Sequence, residues 1–155
     1  MANVARYLRG WQCPIEIPVE SATVIEKGDF VLLDSNYAIN AAIMADPTGG
    51  ATAVREAAAD IFAGIALTAS ASGETDPVQV DISTISVYRL TQKTAAAIHV
   101  GDQVEIYAAT TACEDQTVVE GSDSPVATCV KQKGATGTDV ECVLAPRKIF
   151  HTVQS

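Results

Sequence analysis

The chain has 155 residues, of which 48% are hydrophobic, 19% charged and 5% aromatic, and its formal net charge is −9. That is one domain's worth of chain, with a radius of gyration of roughly 15 Å, too apolar for disorder and too lightly charged for a coiled coil. The acidity argues against nucleic acid as a partner, because such binding rests on Lys and Arg neutralising phosphates. The longest strongly apolar run, residues 61–67, is far short of the roughly 20 that cross a bilayer, so no membrane is expected. No apolar stretch follows Arg6 and Arg9, and no secretion signal is readable.

Residues 1–12 hold Arg6 and Arg9 and no acid, together with Tyr7 and Trp11, the single tryptophan. Arginine and large aromatics are the side chains enriched in binding hot spots. An adhesive arm is one reading; a frayed chain start whose Trp11 caps the core is the other. Ile15, Ile17 and Val19 then alternate with Glu16 and Pro18. Pro14 and Pro18 restrict this run to an edge strand or an extended arm. Residues 1–20 are accordingly expected as an extended N-terminal arm, 21–146 as the folded domain and 147–155 as a tail.

Beyond the arm, period-two alternation dominates. Val78, Val80 and Ile82 face one way, and Ile85 and Val87 continue in the opposite phase, which predicts a bulge or tight turn at Ser83 and Thr84. Val104, Ile106 and Ala108 read as a further strand, as do Val140, Cys142 and Leu144. Gly28-Asp29, Gly73-Glu74, Gly101-Asp102 and the 121–125 stretch supply turns between them. Short strands with regular turn signals predict an all-β fold, a sandwich or a barrel. At most one short helix is expected near 52–61, where alanines favour helix but no apolar stripe is visible to dock it. Residues 43–60 read as a surface excursion.

A faint internal repeat runs through the chain. Lys27-Gly28-Asp29-Phe30-Val31 matches Val100-Gly101-Asp102-Gln103-Val104, and the 73–80 stretch matches 137–143, with Asp76 set against Asp139. The first copy has the longer internal spacing, which places an insertion at the excursion.

The four cysteines, Cys13, Cys113, Cys129 and Cys142, form no C-x-x-C pair and lie at no ligand spacing from His99 or His151, so no zinc site and no cofactor are expected. A hairpin centred on Ala135 and Thr136 would bring Cys129 opposite Cys142, within reach of a cross-strand disulfide, although reduced thiols are the default. No phosphate-binding glycine loop and no G-x-S-x-G elbow occur. A Cys113–His99 nucleophile pair has no support in spacing. Glu114, Asp115, Glu120 and Asp123 lack the ordered calcium-loop pattern. Asp29 and Asp102, each after a glycine, are turn formers. The search for catalytic residues returns none, and a binding or assembly protein is expected rather than an enzyme.

Glu26-Lys27-Gly28-Asp29-Phe30-Val31, then Phe62-Ala63-Gly64-Ile65-Ala66-Leu67, the small-residue turn 69–74, Val78-Gln79-Val80, the run 98–107, and finally 126–128 and 140–144 stand in a telling order. That order resembles the capsid cement, or head decoration, proteins of tailed bacteriophages over about residues 26–145. The resemblance implies a single small β-barrel or β-tulip-like domain, often trimeric, bound to the outside of a virion capsid after synthesis in the host cytoplasm. There it would bridge neighbouring major capsid subunits, and it brings no catalytic residues. On that reading Arg6, Tyr7, Arg9 and Trp11 anchor the arm, while Ile15, Ile17 and Val19 add a strand to a neighbour's sheet edge. The 43–60 excursion, the arm and the Arg147-Lys148 tail depart from the family's pattern. A carbohydrate- or small-molecule-binding β-barrel on a phage tail or fibre is the alternative, and the scarcity of aromatics weighs against it.

Overall fold

The structure, a computed structural model, describes residues 5–44 and 48–146. Asp46 and Pro47 of the excursion and the tail with Arg147, Lys148 and His151 lie outside the described residues, as do the side chains of Glu114 and Asp115. The strands are β1 (Arg6–Arg9), β2 (Pro14–Ile17), β3 (Phe30–Asp34), β4 (Tyr37–Asn40), β5 (Phe62–Ala66), β6 (Val78–Asp81), β7 (Val87–Gln92), β8 (Gln103–Ala108), β9 (Cys113–Glu120), β10 (Ala127–Cys129) and β11 (Asp139–Leu144). One α-helix, α1 (Gly50–Asp60), sits between β4 and β5. The chain is all-β, as its alternation predicts.

Two sheets form. The first has the order β2-β6-β5-β3-β4 and the second β1-β7-β11-β10-β8-β9. In the second, β7 also pairs with β9 in parallel, at Thr91–Thr117 and Gln92–Val118, so five of its strands close into a ring. At the corresponding place in the first sheet a single bond, from Ala38 N–H to the Pro18 carbonyl (2.9 Å), draws its two ends together.

Without β1, the two orders are the same, strand for strand. β2 to β6 correspond to β7 to β11, so the faint repeat is a duplicated five-stranded unit. The turn that opens each copy is bonded identically. Asp29 N–H donates to the Glu26 carbonyl and Glu26 N–H to the Asp29 carboxylate (3.1 and 2.8 Å), and Asp102 and His99 do the same (3.1 and 2.7 Å). Gly28 and Gly101 both have φ of 95°, a conformation that favours glycine. Ile25 bridges Ser70 as Ile98 bridges Lys133, and Ala66 pairs with Val80 as Cys129 pairs with Cys142. This register corrects the sequence alignment by one residue. Val78 answers to Val140, so Asp139 has no partner in Asp76.

The inward positions agree as well. Ile17, Ile25, Val31, Ala38, Val78 and Val80 of the first unit fall in one buried cluster, and their counterparts Leu90, Ile98, Val104, Val118, Val140 and Cys142 in another. That second cluster also takes in the outward side of β3 and β5, through Phe30, Leu32, Phe62 and Ile65. Residues on both faces of β3 and β5 are therefore buried, which is why 61–67 reads as an uninterrupted apolar run rather than an alternating one. Phe30 and Phe62 meet edge to face at 6.3 Å. Each such side chain contributes about 1.5–3 kcal/mol by burial.

Two expectations are corrected here. The helix forms where predicted, but it is docked. Val54, Ala58 and Ala59 are buried in the larger core, and Ala51 and Ile61 pack against it. A stripe made mostly of alanine is apolar enough to seat a helix while reading as mere helix propensity. The N-terminal segment, in turn, is woven into both sheets. β1 pairs with β7 and β2 with β6. Ile17 and Val19 belong to the chain's own core, at 4% and 2% exposure, and Ile15 packs partly against it. They are not offered to a neighbour's sheet.

The outer edge of β2 explains why. The Cys13 carbonyl accepts from Ile82 N–H, which fixes the parity of the ladder. Ile15 and Ile17 turn their backbone groups toward β6, and Pro14, Glu16 and Pro18 turn theirs outward. Proline has no N–H, so this edge offers one donor, that of Glu16.

Candidate functional site

The predicted anchors Arg6, Tyr7, Arg9 and Trp11 lie on β1 and the link that follows it. Arg6 stands opposite Arg89 and Tyr7 opposite Tyr88, with a register shift before Arg9. The Tyr7 and Tyr88 rings meet edge to face at 5.8 Å, and the Tyr7 hydroxyl donates to the Gly10 carbonyl (2.6 Å). At Gly10, φ is +104°, and an added Cβ would come 2.3 Å from the Ile85 carbonyl oxygen. Only glycine lets the two backbones approach this closely.

Under this link sits a polar network that ties it to the 82–86 connection between the two units. Asp81 is fully buried. Its Oδ1 accepts from Cys13 N–H (2.8 Å) and Ser83 N–H (3.0 Å), and its Oδ2 accepts from the Tyr88 hydroxyl (2.7 Å). Gln12 donates to the same Tyr88 oxygen (3.2 Å). Burial, and then the bond to Asp81, pushes the Tyr88 phenol far above its usual range, so it remains a donor. The Ser83 hydroxyl accepts from Ile85 and Ser86 N–H, and the Ser86 hydroxyl donates to the Trp11 carbonyl (2.8 Å). The phase change read at Ser83 and Thr84 is this connection.

The result is an exposed aromatic on a fixed base. Trp11 is 79% exposed, Ile85 60% and Tyr7 45%. The reading of Trp11 as a cap on the core is therefore excluded, and the frayed start does not hold from residue 5 onward. Large apolar side chains held out into water on rigid backbone are the chemistry of a contact surface.

Charge gathers on the face of β7 and β11 opposite to Tyr88 and Cys142. Arg9 and Lys131 hold opposite oxygens of Glu141 at 3.1 and 3.2 Å. Arg9 first, then Lys131, lowers the Glu141 carboxyl below its ordinary range, although burial opposes them. Glu141 lines an open groove of about 330 Å³ with Arg89, Lys131, Gln132, Lys133 and Asp139. Nothing in sequence spacing announces this groove, because its walls come from two separate strands, β7 and β11, and the turn between β10 and β11.

The remaining chemistry-bearing residues have structural posts. The Cys129 and Cys142 sulfurs stand 2.9 Å apart as buried free thiols, directly opposite as the hairpin register predicts. The thiol–thiol hydrogen bond, then burial, raises the Cys142 thiol well above its usual range. Burial raises the Cys113 thiol to about 11. His99 contacts Asp102 (3.3 Å) in its exposed turn. Glu105 accepts from Asp123 and Ser124 N–H and faces Arg55 of α1 at 3.9 Å. Asp29 is buried, accepting from Glu26 N–H and the Asn40 amide, and Asn40 in turn accepts from the Gln116 amide. Among the described residues no group of His, Cys, Asp or Glu is placed to hold a metal, and no helix is long and apolar enough to cross a membrane. No family model, no curated protein and no solved structure matches the chain.

Proposed function

We propose that the chain is a non-catalytic structural protein of the capsid cement or head decoration kind. On this reading it is made in the host cytoplasm, binds the outer surface of a phage head as a homo-trimer, and stabilises the shell by bridging neighbouring major capsid subunits. The observation that carries the reading is Trp11, 79% exposed while its carbonyl and both flanking segments are pinned by Ser86, Gly10 and Asp81. An indole presented without loss of backbone freedom on docking gives affinity at low entropic cost. Two further facts support it. The buried carboxylates Asp81 and Glu105 are occupied by backbone N–H groups, as structural carboxylates are. The phrase order of the sequence also resembles that family.

Mixing the purified protein with undecorated capsid shells tests the reading. Saturable, near-stoichiometric binding and a raised shell melting temperature are expected. Trp11→Ala should weaken binding by at least about thirtyfold, the loss of a hot-spot residue, without changing the protein's own melting temperature. Absence of binding, together with a strictly monomeric state by light scattering, overturns the reading.

A further inference from the structure

We propose that the groove lined by Arg89, Lys131, Gln132, Lys133, Asp139 and Glu141 seats a short acidic segment of the partner protein, with carboxylates as the recognised groups. The proposal deepens the reading above and rests on its claim that the partner is a protein.

The chain carries ten Lys and Arg in all against nineteen Asp and Glu, yet the groove is lined by Arg89, Lys131 and Lys133 against Asp139 and Glu141, with Arg9 bonded to Glu141 and Arg6 across the ladder from Arg89. The patch thus inverts the sign of the molecule. Glu141 organises the cations more than it neutralises them. It holds Arg9 and Lys131 side by side, while their side chains stay 59% and 67% exposed. Each keeps donors to spare, since a guanidinium has five N–H groups and an ammonium three. The Lys133 ammonium is clamped by the carbonyls of Ala96, Gly134 and Thr136 at 2.7, 2.9 and 3.4 Å, groups without formal charge. Its position is fixed and its charge remains.

Arg6 stands directly across the ladder from Arg89, a like-charge pairing that costs stability. The Arg89 head is 4.0 Å from an exposed Asp139, a weak, solvent-screened pair. A carboxylate arriving between the two arginines relieves that repulsion and finds forked donors suited to it. A long polyanion meets the opposite balance, because every phosphate beyond the groove faces an acidic body.

The test titrates the full chain with a capped hexaglutamate peptide, a capped hexaglutamine peptide and a six-nucleotide single strand, followed by calorimetry and amide NMR. Hexaglutamate should bind, shift the amides of residues 131–133 and 139–141, and weaken with added salt. The pair Arg89→Gln, at a half-buried position, with Lys131→Gln, at an exposed one, should weaken it by about tenfold or more. Equal binding of hexaglutamine, no effect of the double substitution, or tighter binding of the oligonucleotide overturns the proposal. No shell is present in this titration, so its failure leaves the capsid reading standing, and failure of shell binding leaves the titration result standing.

Discussion

The two halves of this molecule share a skeleton and differ in what they put on its outside. In the first unit the outward side of β3 is Phe30 and Leu32, buried against the rest of the protein. At the matching places β8 carries Gln103, which is exposed, and Glu105, which α1 covers with Arg55. The helix is the insertion in the first copy, yet it packs on the second. Arg55 also reaches the Ala108 carbonyl (3.3 Å) and lies over the Tyr107 ring at 5.4 Å. The second unit alone carries the extra strand β1, and with it Tyr7, Trp11 and the basic groove. Duplication has divided the labour. The first unit is chiefly a wall of the core, and the second displays side chains to the surroundings.

The sharpest way to break this comparison is to make the same change on both sides. Phe30→Ala should destabilise the protein by about 3–5 kcal/mol, since it empties a fully packed site. Its counterpart Gln103→Ala should stay within about 0.5 kcal/mol, as surface changes do. Urea unfolding of both variants checks the pair, and equal losses would erase the distinction between wall and display.

The cysteines sharpen it next. Oxidised glutathione should take up two electrons and two protons from Cys129 and Cys142 and form the cross-strand disulfide. Intact mass without reduction would then show the loss of two hydrogens, and closing so short a loop should add about 3 kcal/mol of stability. Ala66→Cys with Val80→Cys should create the equivalent bridge in the first unit, because that pair holds the same register.

A third contrast lies in the two identical turns. Asp29→Ala should cost about 2 kcal/mol, because it removes a buried carboxylate and leaves the half-buried Asn40 amide and Glu26 N–H without their acceptor, whereas the more accessible Asp102→Ala should cost about 1 kcal/mol or less. Burial, the main cause, raises the Asp29 carboxyl above its ordinary 3.8, so the folded state binds its proton more tightly than the unfolded chain does. Its contribution is fully present below 3.8 and is lost as pH rises through the raised folded value. In Asp29→Asn that decline should vanish from denaturation midpoints measured across the acid range.

The smallest effect belongs to Glu141 and has the opposite sign. Its lowered carboxyl stabilises the fold above the ordinary 4.5, and this is lost as pH falls through the depressed value. Glu141→Gln should remove that acid-side loss, and the same midpoint series would show it.

Much of this was readable in the residues, for identifiable reasons. Gly-Asp turns report local backbone needs, so the neighbours of Asp29 and Asp102 alone identify both as turn formers. Period-two alternation fixed the strand faces, and a symmetric hairpin fixed the Cys129–Cys142 register. What stays hidden in the sequence is whatever a distant partner decides. Ile17 and Val19 looked available for another chain because nothing nearby reveals that β6 will pair with β2. The alanines of α1 gave no visible stripe because a helix resting on β8 needs only small side chains. Asp81, Tyr88, Gln12 and Ser83 are spread over more than seventy positions, and no short-range pattern marks them as one network. The same holds for the groove, where Arg89, Lys131 and Glu141 meet only after β7 and β11 are laid side by side and the turn before β11 folds over them.

The proline-bordered rim of β2 has a consequence for behaviour in crowds. A sheet that extends from copy to copy needs an alternating row of donors and acceptors, and this rim supplies a lone amide hydrogen from Glu16 with a negative side chain beside it. Molecules packed shoulder to shoulder at high density therefore have no template for fibril growth along this side.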